Sequence, residues 1–269
     1  MRLGLNDIEI VESIDGLDWG LKAINADKTW DKTMGEGVTV VTIDTGVDIT
    51  HPDLSHSINE KFNMIDKNFS VDDEYGHGTH VAGLITGRYT GVAPKASLHV
   101  LKVLNGDGKG KIADVMDGIT HAMNLKADIL TISLGMASDI PLILKQRIIQ
   151  AYEAGVTIVS AVGNSGGSQS LYPAKMEEVI AVGGLDRDMN VTPFTNAGYD
   201  VLAPSVDVLS TYKDSNYARM TGTSMASPLV AGAIALLISY YRKQGRELKP
   251  REIKAMLEGK KLDLTTLIG

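Results

Sequence analysis

A long apolar run near the carboxyl end sets the tightest limit on how this chain can fold. Residues 229–238 read Leu-Val-Ala-Gly-Ala-Ile-Ala-Leu-Leu-Ile, and no charged side chain follows until Arg242. A helix that is apolar on every side has to be buried on every side. Residues 222–228, Gly-Thr-Ser-Met-Ala-Ser-Pro, lead directly into the run. The hydroxyl of Ser224 is therefore expected at the start of a buried helix.

Two interpretations fit Ser224 at this point. A hydroxyl residue is a common N-cap of a core helix. The same position also lies beside unpaired backbone N–H groups and the positive end of the helix dipole, which would hold an oxyanion if the serine attacked a carbonyl. Residues farther up the chain decide between the two.

The composition narrows the class of protein. With 269 residues, 43% of them hydrophobic, the chain can form one large domain or two small ones. A net charge of −7 argues against nucleic acid or an anionic membrane as partner. No apolar run approaches the roughly 20 residues that cross a bilayer, and the N-terminus has no apolar signal core, so we expect a cytoplasmic protein. The absence of cysteine excludes disulfides, thiolate metal sites and cysteine nucleophiles.

Apolar strands alternate with helical segments along the chain. Residues 38–43 form a β-branched run between Gly37 and Gly46, which is typical of a buried parallel strand. Further strands are predicted at 97–104, 128–134, 156–162, 179–182 and 201–202, and helices at 21–33, from 77 onward, and at 112–124, 142–154, 224–243 and 250–258. This order predicts a single α/β domain with a mainly parallel central sheet and helices on both faces.

Four polar residues stand at the ends of these elements: Asp44, His77, Asn164 and Ser224. A carboxylate, an imidazole and a hydroxyl are the groups needed to activate a serine, and an asparagine amide can donate to an oxyanion. Singly, each has an ordinary explanation as a capping aspartate, a core histidine, a turn asparagine or an N-cap. Together, with glycines around each, they indicate a catalytic site.

The motifs around these residues resemble those of the subtilisin-like serine proteases, the subtilases. Asp44-Thr45-Gly46-Val47-Asp48 is similar to their aspartate motif, residues 75–83 (Tyr-Gly-His-Gly-Thr-His-Val-Ala-Gly) to their histidine motif, and residues 222–228 to their serine motif. The resemblance runs from about Trp19 to about Glu258. It implies a subtilisin-like fold and a serine endopeptidase.

The resemblance also implies roles for individual residues. Ser224 would be the nucleophile, His77 the base, Asp44 the group that orients the base, and Asn164 an oxyanion donor. Substrate would bind to three short segments: Gly108, Lys109 and Gly110; Ser133, Leu134 and Gly135; and Ala161, Val162 and Gly163. Pairing with an extended peptide backbone predicts broad specificity.

A calcium or phosphate loop is the alternative reading of residues 105–110. We discard it because Lys109 and Met116 stand where an EF-hand would need oxygen ligands.

Metal binding is one departure from the family pattern. In secreted subtilisins a longer loop carries most ligands of the tight calcium site, and the loop Leu84 to Thr90 is shorter than that loop. We therefore expect the tight calcium site to be lost. Asp53 still matches the aspartate of that site. A weak calcium or sodium site on the carbonyls of Ala174, Met176 and Val179 stays open. No cofactor is expected in the chemistry.

Two further departures concern specificity and regulation. Leu171 stands where the family often has a small residue at the base of the P1 pocket, which predicts a shallow pocket that disfavours large aromatic residues.

Residues 1–18 precede the peptidase domain, 19–269, where a long pro-domain would be expected. This short extension, with the acidic Asp72-Asp73-Glu74, resembles the intracellular subtilisins, whose extension can block the active site. The alternative is a disordered or edge-packing tail.

The sequence thus predicts an endopeptidase that acts on proteins or peptides, with no nucleic-acid or membrane partner and no signal for oligomeric state. The alternative from another class is a catalytically silent subtilase that serves as a binding or regulatory protein. A third, an esterase or lipase, would favour a Gly-x-Ser-x-Gly motif, whereas Ser224 lies in Gly-Thr-Ser-Met-Ala.

Overall fold

Strands and helices alternate along most of the chain. A computed structural model describes residues 6–136 and 138–268. The strands are β1 (Asn6–Val11), β2 (Thr39–Asp44), β3 (Ile58–Asn63), β4 (Ser97–Lys102), β5 (Ile129–Ile132), β6 (Thr157–Ala161), β7 (Val179–Leu185), β8 (Val201–Pro204), β9 (Val208–Tyr212), β10 (Asn216–Thr221) and β11 (Lys260–Lys261). The helices are α1 (Trp19–Ala23), α2 (His77–Thr86), α3 (Ile112–Asn124), α4 (Leu142–Glu153), α5 (Thr223–Lys243), α6 (Pro250–Leu257) and α7 (Leu264–Leu267), with a 3₁₀ turn at Asp27–Thr29.

A parallel sheet forms the centre of the molecule. Within the described residues its eight strands lie in the order β11-β8-β7-β6-β5-β2-β4-β3, and every neighbouring pair is parallel. From β2 the chain builds β3 and β4 on one side, and then β5 to β8 on the other. Ligands of such sheets bind at the carboxyl edge where the strand order reverses. Asp44, the last residue of β2, lies at that point.

The apolar helix α5 crosses one face of this sheet. It packs against β2, β5, β6, β7 and β8, with α2 beside it, while α3 and α4 pack together in a separate core cluster with the other face. By length and composition alone α5 could cross a membrane, contrary to the expectation from the sequence, but 89% of its apolar window is buried inside the fold. It is therefore a core helix, and the predicted α/β domain with helices on both faces is confirmed.

A second sheet was not expected from the sequence. In the described part of the chain it is antiparallel, with the order β1-β10-β9, and β9 packs against α2. Strand β1 takes residues 6–11 of the N-terminal extension and pairs Val11 with Tyr217 and Asn6 with Thr221. This segment is therefore an edge strand. Residues 1–5 lie outside the described residues.

The predicted helix over residues 21–33 is wrong. The structure has α1 and a separate 3₁₀ turn, because Asn25 adopts a left-handed backbone with φ of 56° that an α-helix cannot continue through. Ile24 is nevertheless buried, and the indole Nε1 of half-buried Trp30 donates to the carbonyl of Val92 at 2.9 Å. The predicted strand at 179–182 is real but extends to Leu185.

Candidate active site

A buried hydrogen bond joins Asp44 to His77. His77 is the first residue of α2, and its Nδ1 donates to Asp44 Oδ1 at 2.7 Å. The same oxygen accepts the backbone N–H of Thr45 at 2.7 Å, and both side chains are about 1% exposed. The carboxylate thus fixes the imidazole ring and its tautomer, leaving Nε2 as the basic nitrogen.

The second histidine of the motif has a different role. His80, one turn farther along α2, is fully buried, and its Nε2 donates to the carbonyls of Val208 and Ala218 at 3.1 and 3.0 Å. Burial, with a smaller contribution from nearby His77, lowers the pKa of His80 to about 3. A histidine that stays neutral and bonded to two carbonyls holds β9 and β10 to the helix, so it cannot serve as the base.

Ser224 lies at the start of α5. The N-cap is Gly222, whose φ of 150° favours glycine, and no side chain caps the helix there. The hydroxyl of Ser224 donates to the carbonyl of Ser133 at 3.4 Å. His77 Nε2 is buried and has no hydrogen-bond partner among the described residues, so the Ser–His bond of a triad is not formed in this structure. Hydrogen bonds of this kind are often loose before substrate binds.

Asn164 is oriented by the residue before Ser224. Its Oδ1 accepts both the backbone N–H and the hydroxyl of Thr223, each at 2.8 Å. The Asn164 amide nitrogen therefore lies on the side of the amide group away from Thr223. A Cβ added to Gly222 would be only 3.0 Å from this nitrogen. Two fixed bonds to Oδ1 leave the NH₂ group free to donate to a ligand at the start of α5.

The predicted walls of the binding pocket lie side by side. Residues 133–135 follow β5 and residues 161–163 include the end of β6, and these two strands pair in parallel. Leu171 lies between them: a Cβ on Gly135 would be 2.8 Å from its Cδ1, and one on Gly163 would be 2.7 Å from the same atom. Its backbone N–H is bonded to the carbonyl of Val162 at 2.9 Å, so the leucine is fixed in place.

The third predicted substrate segment forms a turn after β4. The backbone N–H of Asn105 donates to the carbonyl of Lys109 at 2.9 Å, and that of Lys109 to Asn105 Oδ1 at 3.0 Å. A Cβ on Gly108 would lie 3.0 Å from the ring of Tyr75, two residues before His77. The turn is thus beside the start of α2.

Known proteins share this sequence over most of its length. A profile described as the subtilase family matches residues 35–266. The major intracellular serine protease of Bacillus subtilis (strain 168) is 39% identical over 275 residues, covering 95% of this chain and 86% of that protein. The intracellular serine protease of Paenibacillus polymyxa is 37% identical, covering 84% and 74%, and subtilisin DY of Bacillus licheniformis is 42% identical, covering 83% and 85%. The chain belongs to the subtilase family.

Family membership confirms the predicted class of enzyme. This subtilase is a serine-type endopeptidase, and two of its relatives carry names that call them intracellular. Nothing in these findings favours a silent binding protein.

The tight calcium site does not fit the residues present. Asp53 is buried, its Oδ1 accepts the backbone N–H of Tyr89 at 2.8 Å, and its Oδ2 accepts the hydroxyl of Thr90 at 2.9 Å. Both oxygens are therefore used to fold the short loop, whereas a calcium ion needs six to eight free oxygen ligands.

One of the three carbonyls of the predicted weak cation site already has a cationic partner. The carbonyl of Val179 accepts the ammonium of Lys254 at 2.8 Å. A metal ion on that carbonyl would lie close to the ammonium, and two positive charges repel each other. The carbonyl of Met176 accepts the backbone N–H of Val179 at 3.1 Å. A cation held by the carbonyls of Ala174, Met176 and Val179 therefore stays a prediction.

Asp73 is a residue that the sequence analysis read only as part of an acidic segment. It is buried, and its Oδ2 accepts the N–H and the hydroxyl of Thr79 on α2 at 2.8 and 2.6 Å. Its Oδ1 accepts the N–H of Gly76 and the hydroxyl of Thr45, both at 2.8 Å. One carboxylate thus ties the residue after Asp44 to the first turn that carries His77. An acidic residue just ahead of a predicted helix was the available signal.

We expect Asp73→Asn to lower kcat/KM by roughly 10–100-fold, mostly through kcat, because an amide turns one acceptor into a donor and lets the Asp44–His77 pair shift. Asp72→Asn is the matched control, since this neighbouring carboxylate is exposed. Steady-state kinetics on a peptide across pH, with circular dichroism to verify folding, measure the effect. A positioning role also predicts a shifted pH profile. Equal kinetics for the two variants would contradict it.

Proposed function

We propose that this subtilase cleaves peptide bonds of proteins through an acyl-enzyme on Ser224, with His77 as general base, Asp44 as its orienting carboxylate and Asn164 as oxyanion donor. The observation that carries this proposal is the buried 2.7 Å bond between Asp44 and His77. That bond leaves His77 Nε2 buried without a partner among the described residues. Helix α5, whose second residue is Ser224, packs against the helix of His77.

The chemistry follows from these positions. Ser224 Oγ turns from the carbonyl of Ser133 toward His77 Nε2, gives up its proton there and attacks the peptide carbonyl carbon. Collapse of the tetrahedral intermediate breaks the C–N bond, and His77 returns the proton to the leaving amine. Water, deprotonated by the same nitrogen, then hydrolyses the ester. Asp44 stays ionised and stabilises the imidazolium in both halves of the reaction.

The oxyanion is held by groups that do not move during the reaction. Asn164 is locked by its two bonds from Thr223, so its amide N–H is already directed when charge develops. The backbone N–H of Ser224 is the second donor, at the positive end of α5. Fixed donors of this kind stabilise the transition state because no reorganisation is needed.

Substrate binds as an added strand. Segment 133–135 and the turn that includes residues 108–110 offer backbone groups to a peptide on either side, which makes recognition largely independent of side chains. The acidic chain and the names of its relatives support a cytoplasmic protease that acts on proteins rather than on nucleic acid or membranes. No cofactor enters any step.

A fluorophosphonate should add once to the protein, at Ser224, because only an activated serine attacks the phosphorus centre. Intact mass spectrometry of the wild type should show one adduct, and Ser224→Ala and His77→Ala should show none. Asp73 and all binding residues are unchanged in these controls. An adduct that persists in Ser224→Ala, or a wild type that never reacts even after trimming of its N-terminus, would refute the proposed triad and favour the silent alternative.

Leu171 should limit the size of the P1 side chain. We expect Leu171→Gly to raise kcat/KM for a Phe substrate relative to an Ala substrate by roughly 10–200-fold, since filling or freeing a pocket by a few methylenes has effects of this size. Leu171→Ala should give an intermediate ratio, which makes the series its own control. Cleavage-site profiling of a peptide library is the measurement. A strong preference of the wild type for Phe or Tyr at P1 would contradict the idea.

The N-terminal extension is proposed to restrict access to the active site. Strand β1 runs antiparallel to β10, and Asn6 pairs with Thr221, three residues before Ser224. Followed from Val11 back to Asn6, β1 therefore runs toward the start of α5. The alternative is that the extension only covers the edge of β10.

Two truncations separate these roles. Removing residues 1–5 keeps β1, so a blocking role predicts a higher kcat/KM at an unchanged thermal midpoint. Removing residues 1–17 should raise kcat/KM as well and also lower the midpoint, because the edge of β10 loses its partner. Unchanged kcat/KM in both variants would exclude the blocking role and leave a structural edge strand.

A further inference from the structure

Three oxygen atoms converge on the ammonium of Lys254. Its Nζ donates to the carbonyl of Val179 at 2.8 Å and to the carbonyl of Glu177 at 2.9 Å, and it lies 3.0 Å from Asp200 Oδ2. An ammonium has three N–H donors, and here each has an acceptor. Two carbonyls and a carboxylate are also the kinds of ligand that hard metal cations take in proteins.

The oxygens belong to segments that are distant from α6 in the sequence. Val179 begins β7, and Glu177 lies in the turn before it. Asp200 precedes β8 and is fixed to β7, because its Oδ2 accepts the N–H of Ala181 at 2.8 Å and its own N–H donates to the carbonyl of Ala181 at 2.8 Å. The Lys254 side chain is 21% exposed and that of Asp200 is 18% exposed, so the contact is largely shielded from water.

The segment held in this way leads to the binding pocket. Eight residues before Val179, Leu171 lies between Gly135 and Gly163, and the next residue, Tyr172, forms a backbone bridge with Met136. The ammonium therefore fixes the far end of the segment whose near end forms the pocket floor.

We propose that the Lys254 ammonium is a built-in cation, which takes the place of a bound metal ion at this turn and makes the segment independent of dissolved cations. The inference concerns stability, so it does not depend on the catalytic roles proposed above. Removing the ammonium leaves the two carbonyls and the carboxylate without a cation, and a dissolved cation should then bind there.

The test compares Lys254→Met with Arg251→Met. Both remove one positive charge from α6, and Arg251 is exposed. All proteins carry Ser224→Ala so that self-cleavage does not affect the melting curves. Thermal midpoints are measured after chelator treatment, in choline chloride, sodium chloride, potassium chloride or added calcium chloride at matched ionic strength.

We expect Lys254→Met to melt about 3–8 °C below Arg251→Met in choline, a loss typical of charged hydrogen bonds in a chain of this size. Sodium or calcium should raise its midpoint in a concentration-dependent way, because a ligand that binds only the folded state stabilises it. The parent and Arg251→Met should show no such rise.

Adding Asp200→Asn to Lys254→Met should abolish the response, which locates the bound ion. Lys254→Gln should behave like Lys254→Met, and it replaces Lys254→Met in the melting experiment if that variant fails to fold.

Three results would overturn the proposal. Lys254→Met could be as stable as Arg251→Met, which would mean that the ammonium does not hold the turn. Lys254→Met could be less stable than Arg251→Met while no cation raises its thermal midpoint, which would mean that the three oxygens do not bind a cation. The parent could itself gain stability from a cation and lose the gain with Asp200→Asn, so that a metal ion binds beside the lysine.

Discussion

The burial of α5 is the constraint on which the rest of this structure depends. The helix has 21 residues and no polar face over most of its length, so it gains free energy only when apolar groups surround it. The parallel sheet covers one side, and α2 packs beside it. The first turn of α5 lies at the carboxyl edge of the sheet, where Asp44 ends β2 and Asn164 follows the end of β6.

A network of buried polar groups makes this edge rigid. Asp73 joins the turn after β2 to the first turn of α2, and Thr223 holds the Asn164 amide. Each of these bonds satisfies a buried donor or acceptor that would otherwise cost about 1–3 kcal/mol. The buried atoms without a partner among the described residues include His77 Nε2 and Ser133 Oγ. The other such atoms are Asp44 Oδ2, His80 Nδ1 and His99 Nδ1, so part of this set lies at the proposed catalytic residues.

Side chains of the protein hold two of its loops in place. The short loop after α2 is held by both oxygens of Asp53, and the turn before β7 by the ammonium of Lys254. A covalently attached donor loses less entropy on ordering than a dissolved ion, and its presence does not vary with solution composition. The two contacts lie at loops that support the binding cleft, so the shape of the cleft is set by the fold itself.

The sequence by itself determined the core of the architecture. Helix α3 begins and ends at the predicted residues, and β2, α2 and α5 lie within a residue or two of their predictions, because glycines and clear periodicity mark them. It did not reveal β1, β9 and β10, whose pairing joins segments about 200 residues apart or lacks a regular pattern. Only the tertiary structure showed that His80 bonds to the carbonyls of Val208 and Ala218, and that a lysine on α6 reaches Val179. These choices depend on the direction of side chains brought together from distant segments, which local sequence patterns do not encode.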